Sequence, residues 1–218
     1  FKTLNSANDV TSTRTLLHEA IPLTGTIASG TYTDNNIKTY SHGMFESVYD
    51  YPYLSSSANH IFDITTGYAS NSALSGAASI QNSKKLNIYS QMAQVLVGYD
   101  ATGSIQSFDQ DGDIADGGTK INEAIFVNFS RLLTKDEIKK GSFITSFLTG
   151  GTPAARTDTL TLQDHGAADS YKVNSPAGEY GILYTSSIGI TADSGVGLVY
   201  YQAGVAVLTG SIFDGTMG

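Results

Sequence analysis

The later part of the chain is a succession of short apolar runs: Ser142-Phe143-Ile144-Thr145-Ser146-Phe147-Leu148, Thr159-Leu160-Thr161-Leu162, Tyr180-Gly181-Ile182-Leu183-Tyr184, Gly197-Leu198-Val199-Tyr200-Tyr201 and Gly204-Val205-Ala206-Val207-Leu208. Each is rich in β-branched or aromatic residues and bounded by Gly with Asp or Asn, which reads as a strand between turns. The last two are split by Gln202-Ala203-Gly204 and read as a hairpin. Upstream, Asn59 to Thr65 alternates as a strand does, and Ile121 to Phe129 reads as a strand whose end is buried on both faces. The regular spacing predicts a mainly β chain, a β-sandwich or an open antiparallel sheet, with α+β as the alternative.

Two helices interrupt this pattern. From Ser83, an N-cap residue, the segment runs to Val97 before Gly98, with Leu86, Tyr89, Met92, Ala93 and Leu96 on one stripe that packs on the sheet. Thr134-Lys135-Asp136-Glu137 fits a capping box and Gly141 ends the turn, which predicts a short helix over Thr134 to Lys140. Farther upstream, Phe45, Val48 and Tyr49 have the spacing of a short helical face, stopped by Pro52.

Residues 1–36 read as an extended N-terminal arm: Thr and Ser abound, Pro22 biases Ile21 toward extended geometry, and Gly25 and Gly30 punctuate the Thr/Ser-rich stretch after it. An arm of this kind lies across a neighbouring subunit. Residues 37–218 read as one domain, with a flexible Gly/Ala/Ser-rich loop near 66–80.

With 12 Lys plus Arg against 20 Asp plus Glu, the net charge of -8 repels phosphate backbones, which argues against nucleic acid as a partner. No stretch reaches the roughly 18 consecutive apolar residues of a membrane span, and the start of the chain lacks a basic head before an apolar run, so no membrane partner and no export signal are expected. Zero cysteine removes disulfides, thiolate nucleophiles and cysteine zinc sites together. The 13 Tyr and absence of Trp suit sheet faces that meet another protein.

His18, His42, His60 and His165 are scattered, without the short spacing that puts two imidazoles on one metal. There is no G-x-S-x-G elbow, no phosphate-cradling glycine loop and no carboxylate pair singled out for glycoside hydrolysis. The one local constellation is Asp109, Asp111, Asp113 and Asp116 in a glycine-bent loop, a weak calcium candidate. It departs from the EF-hand: Ile114 stands where the invariant glycine belongs, and Lys120 where the bidentate carboxylate belongs. An acidic hairpin tip is the plainer reading. Arg131, Lys135, Lys139 and Lys140 form a basic patch, a solvated face or a contact for an acidic neighbour.

Three stretches carry a resemblance: His42 to Asp63, with its run Phe45-Glu46-Ser47-Val48-Tyr49-Asp50-Tyr51-Pro52-Tyr53; Phe126-Val127-Asn128-Phe129-Ser130-Arg131-Leu132-Leu133 with Lys139-Lys140-Gly141-Ser142-Phe143; and Gly197 to Leu208. They resemble virion structural proteins of tailed bacteriophages, especially the marine and cyanobacterial contractile-tailed group. The resemblance implies a non-enzymatic particle component in the tail, neck or baseplate or decorating the capsid. Its partners would be other phage structural proteins and copies of itself, its location the virion, assembled in the host cytoplasm. No catalytic residue and no cofactor are implied. A receptor-binding or glycan-binding adhesin module of a tail fibre is the alternative.

Overall fold

A computed structural model describes residues 34–76, 80–115, 117–130, 136–149, 158–185 and 194–213. Residues 1–33 of the expected arm lie outside this set, and Asp34–Asn36 form a single 3-10 turn leading into the first strand. The strands are β1 (Ile37–Thr39), β2 (Glu46–Tyr49), β3 (His60–Tyr68), β4 (Glu123–Phe129), β5 (Ile144–Thr149), β6 (Asp158–Gln163), β7 (Tyr180–Leu183), β8 (Gly197–Tyr200) and β9 (Val205–Thr209). A helix, α1 (Ile80–Leu96), falls between β3 and β4, and a four-residue helical turn, α2 (Ala167–Ser170), between β6 and β7.

The chain is mainly β. Seven strands form one antiparallel sheet in the order β1-β2-β3-β4-β9-β8-β7, and β5 pairs with β6 as a separate ribbon. The sheet is open, and side-chain alternation sends its residues into two clusters, one on each face. Ala124, Phe126, Ile182, Leu198, Tyr200, Val205 and Val207 meet Ile88, Tyr89, Ala93 and Leu96 of α1 on one side. Val127, Leu183, Val199, Ala206 and Leu208 meet Phe143 and Leu162 of the β5–β6 layer on the other. Both faces being covered explains why β7, β8 and β9 are buried at every position and read as continuous apolar runs.

Helix α1 begins at Ile80, three residues before the expected Ser83 cap. It ends as expected: Gly98 takes φ +88° and donates its N–H to Ala93 O at 2.9 Å, closing the last turn. The helix lies close to β3 because position 67 is glycine, where a Cβ would stand 2.8 Å from Tyr89 N and 3.0 Å from Lys85 O. The helix buries Ile88 in place of the expected Leu86, which is half-buried, and Val97 just past its end is buried too.

Three expectations differ. Phe45, Val48 and Tyr49 share no helical face, because Glu46–Tyr49 pair with β1 and β3; Val48 points into one face and the buried Ser47 into the other. Residues 66–68 complete β3 instead of opening a loop, held by pairing with Glu123–Ile125. The expected helix at Thr134 lies partly outside the described residues, and Asp136–Lys140 form turn and irregular backbone, fixed by Ile138 N–H donating to Tyr201 O. No helix among the described residues is long and apolar enough to cross a membrane.

Candidate functional site: an aromatic hairpin and a notch at the sheet edge

The hairpin joining β1 to β2 turns at Gly43, whose φ of +62° suits glycine. This turn brings three rings together. Tyr40 stacks on His42 with planes 8° apart, Phe45 lies against both, and all three centroid separations are 5.0 Å. His42 Nδ1 accepts the Met44 N–H at 3.0 Å, and Lys84 of α1 donates to His42 O at 2.6 Å, so the loop is pinned to the helix. Lys38 Nζ lies 4.9 Å from the Tyr40 ring centre. Met44 and Phe45 are exposed here, and Tyr53 and Leu54 in the next loop, Leu54 to 85%. A cavity of about 300 Å³ opens beside the hairpin, lined among others by Tyr40, Met44, Phe45, Glu46, Thr66 and Lys85.

Behind the hairpin sit the residues a hydrolase would need, in the wrong order. Ser47 donates its hydroxyl to Asp63 Oδ1 at 2.5 Å, and His60 Nε2 lies 2.8 Å from that same oxygen. In an acyl-transfer triad the imidazole stands between serine and carboxylate and takes the serine proton. Here the carboxylate stands between the two, and Ser47 is buried. The trio cross-links β2 to β3.

Asp109, Asp111 and Asp113 are in one loop as expected, closed by the Asp109–Lys120 bridge; Asp116 lies outside the described residues. Lys120 Nζ sits 2.6 Å from Asp109 Oδ2 and reaches the carbonyl oxygens of Ile114 at 3.3 Å and Asp113 at 3.5 Å. Of the carboxylates expected to hold calcium, its ammonium engages that of Asp109. Asp109 Oδ1 accepts the Asp111 N–H and Asp111 Oδ1 the Asp113 N–H, the pattern of successive Asx turns. Burial raises the Asp109 carboxyl above its ordinary range, while a hydrogen bond with Asp109 holds Asp111 below it. Among the described residues no group of three or more His, Cys, Asp and Glu side chains converges on a metal position. The loop's other anchor is β7, where Tyr180 donates to Gly112 O at 3.1 Å.

The remaining buried carboxylates are tied to backbone. Asp50 accepts the Asn59 N–H at 2.6 Å and its side-chain amide at 2.9 Å. Asp164, fully buried, accepts from Gly141 N–H, Phe143 N–H and the Tyr201 hydroxyl at 2.7, 2.8 and 2.9 Å. Burial pushes this carboxyl up to about 6 against the pull of those donors. Of the expected basic patch, Arg131 and Lys135 lie outside the described residues, and the acidic neighbour of Lys140 is internal: Glu179 at 2.6 Å, with Glu137 at 3.6 Å.

No family model, curated protein or solved structure matches this chain.

Proposed function

We propose that this chain is a non-enzymatic structural component of a tailed-bacteriophage particle that makes protein–protein contacts through its aromatic hairpin and the open edge beside it. The observation that carries the reading is the exposure of Met44 and Phe45 on a hairpin that hydrogen bonds and ring contacts hold in place, with Tyr53 and Leu54 exposed on the loop at the other end of β2. Large apolar side chains exposed on a fixed surface are what a partner protein buries, and aromatic and Met side chains are enriched at such interfaces. The carboxylates and imidazole that could have served chemistry support the same reading, because Asp50, Asp63, Asp109, Asp164 and His60 are each engaged in holding strands or loops. The resemblance to virion proteins adds the particle as the setting.

The reading is tested by supplying a Met44→Ser, Phe45→Ser variant to a virus lacking the native chain. It predicts loss of the protein from particles while the purified variant stays folded. Undiminished incorporation would count against the hairpin as the contact.

The cavity beside Tyr40 and Phe45 favours one second reading, a glycan-binding adhesin module, since ring faces beside Thr, Glu and Lys side chains suit a sugar. Saturable binding of the isolated protein to host cells, competed by free host glycan, distinguishes it.

A further inference from the structure

The two arms of the acidic loop run antiparallel at its base. Gln110 N–H donates to Thr119 O and Ile121 N–H donates to Phe108 O, which leaves Asp109 and Lys120 directly opposed, with no backbone bond between the two residues themselves. Side chains come closest in antiparallel pairs of this kind. Lys120 Nζ accordingly reaches Asp109 Oδ2 at 2.6 Å, and the carbonyl oxygens of Ile114 and Asp113, at 3.3 and 3.5 Å, help to hold the nitrogen there. Lys140 Nζ stands just as near Glu179, but those two side chains are 20% and 30% exposed, whereas the Asp109 side chain has no exposed surface.

Amide formation needs a neutral carboxyl beside a neutral amine, and water opposes it by solvating both charges. Burial withdraws that solvation from the carboxyl. A second carboxyl lies alongside. The position a Cβ would take at Gly118 is 3.5 and 3.8 Å from the two Asp109 oxygens and 3.8 Å from Asp111 Oδ2. Burial raises the Asp109 carboxyl and the hydrogen bond between the two lowers that of Asp111, so the proton they share rests on Asp109. Asp111 is therefore the ionised group beside the Asp109 carboxyl, placed to take a proton from the amine and return it to a departing oxygen.

We propose that Lys120 Nζ and Asp109 Cγ condense to an intramolecular isopeptide bond, with Asp111 carrying the proton. The Nζ–Cγ bond forms and one Cγ–Oδ bond of Asp109 breaks. Of the three ammonium hydrogens, one stays on the amide nitrogen and two leave with the departing oxygen as water, so the step balances without a co-reactant. The ion pair is the state from which the bond forms. The link ties the two arms of the loop covalently, and they stay joined when the chain unfolds. This goes beyond the assembly reading and does not depend on it.

Between Lys85 and Arg131 the sequence has no Lys or Arg except Lys120, which makes trypsin a direct probe. The purified full-length chain is denatured, digested and weighed. The proposal predicts one peptide, 86–131, uncut after Lys120 and lighter than its sequence by one water; further cleavage before Asp113 should leave its pieces joined. Lys120→Arg keeps the positive charge and should restore both the full mass and the cut. Asp111→Asn, followed from synthesis in a cell-free reaction, should slow the appearance of linked chain by about 100-fold. A native chain of full mass, cut after Lys120, would overturn the proposal, and that digest needs no variant to fold. Water loss with Lys120 still cut would overturn it too, because it marks a cyclic imide at one aspartate and not a cross-link. Linking at the native rate in Asp111→Asn would overturn the part given to Asp111.

Discussion

Tyr201 donates its phenol hydrogen to Asp164 at 2.9 Å, joining the end of β8 to the corner between β6 and α2 with both side chains fully buried. Burial, the nearby Asp164 charge and this bond all raise the Tyr201 phenol well above its ordinary range, so the phenol keeps its proton. Tyr201→Phe removes one of three donors from a buried carboxylate and is expected to cost about 1.5–3 kcal/mol. Urea unfolding measures this. A cost below a few tenths of a kcal/mol would show that the bond is dispensable.

The same carboxylate predicts a pH dependence with a definite sign. Its folded pKa, about 6, lies above the ordinary 3.8, so between those values the folded state holds the proton more tightly. Stability contributed by this group is complete below about pH 4 and is lost as pH rises through about 6. Relative to Asp164→Asn, the native chain should lose up to roughly 3 kcal/mol between pH 4 and pH 7. A native-minus-variant difference that grows with pH would reverse the sign and refute it.

Gly181 lies under the Tyr201 ring, and an added Cβ there would overlap its hydroxyl and stand 3.0 Å from Cζ and 3.1 Å from Ala167 Cβ. Gly181→Ala should therefore destabilise by about 1–3 kcal/mol, as overpacking does. In a Tyr201→Phe background the added cost should be smaller, because the hydroxyl is gone. Strict additivity in the double-mutant cycle would mean that the two residues do not press on each other.

In the acidic loop, Lys120 already answers the charge of the fully buried Asp109 side chain. Lys120→Met should cost about 3–5 kcal/mol by leaving that carboxylate unpaired. Added calcium should leave the melting temperature of the native chain unchanged, and a rise that saturates with calcium would show that the ion displaces the ammonium.

Elements are legible in the sequence where their signal is local. The hairpin of β8 and β9 and the strand β7 can be read because both faces are buried, which leaves unbroken apolar runs between glycines. Helix α1 is legible from its stripe and Gly98. Strand β2 is not, because its buried Ser47 is polar and its aromatics fall by accident at helical spacing; only the bond to Asp63, 16 residues away, shows why serine suits that face. Tyr201 and Asp164 lie 37 residues apart and carry no mutual sequence signal. Lys120 is visible in the sequence where a calcium loop would carry its bidentate carboxylate, but its bond to Asp109, 11 residues away, is not. The aromatic content of residues 40–53 is plain, but the meeting of Tyr40, His42 and Phe45 at one hairpin tip depends on the turn at Gly43.

Leu54 tests surface against core. It is 85% exposed, so Leu54→Ser should change stability by no more than about 0.5 kcal/mol. A larger loss would show that the side chain belongs to the fold and not to a contact.

A structural place in a phage particle is the central claim, and quantitative mass spectrometry of purified particles meets it most directly. The chain should be present at a fixed copy number relative to the major structural proteins, in a ratio set by particle symmetry. Its absence from intact particles, or a trace amount that varies between preparations, would contradict the claim.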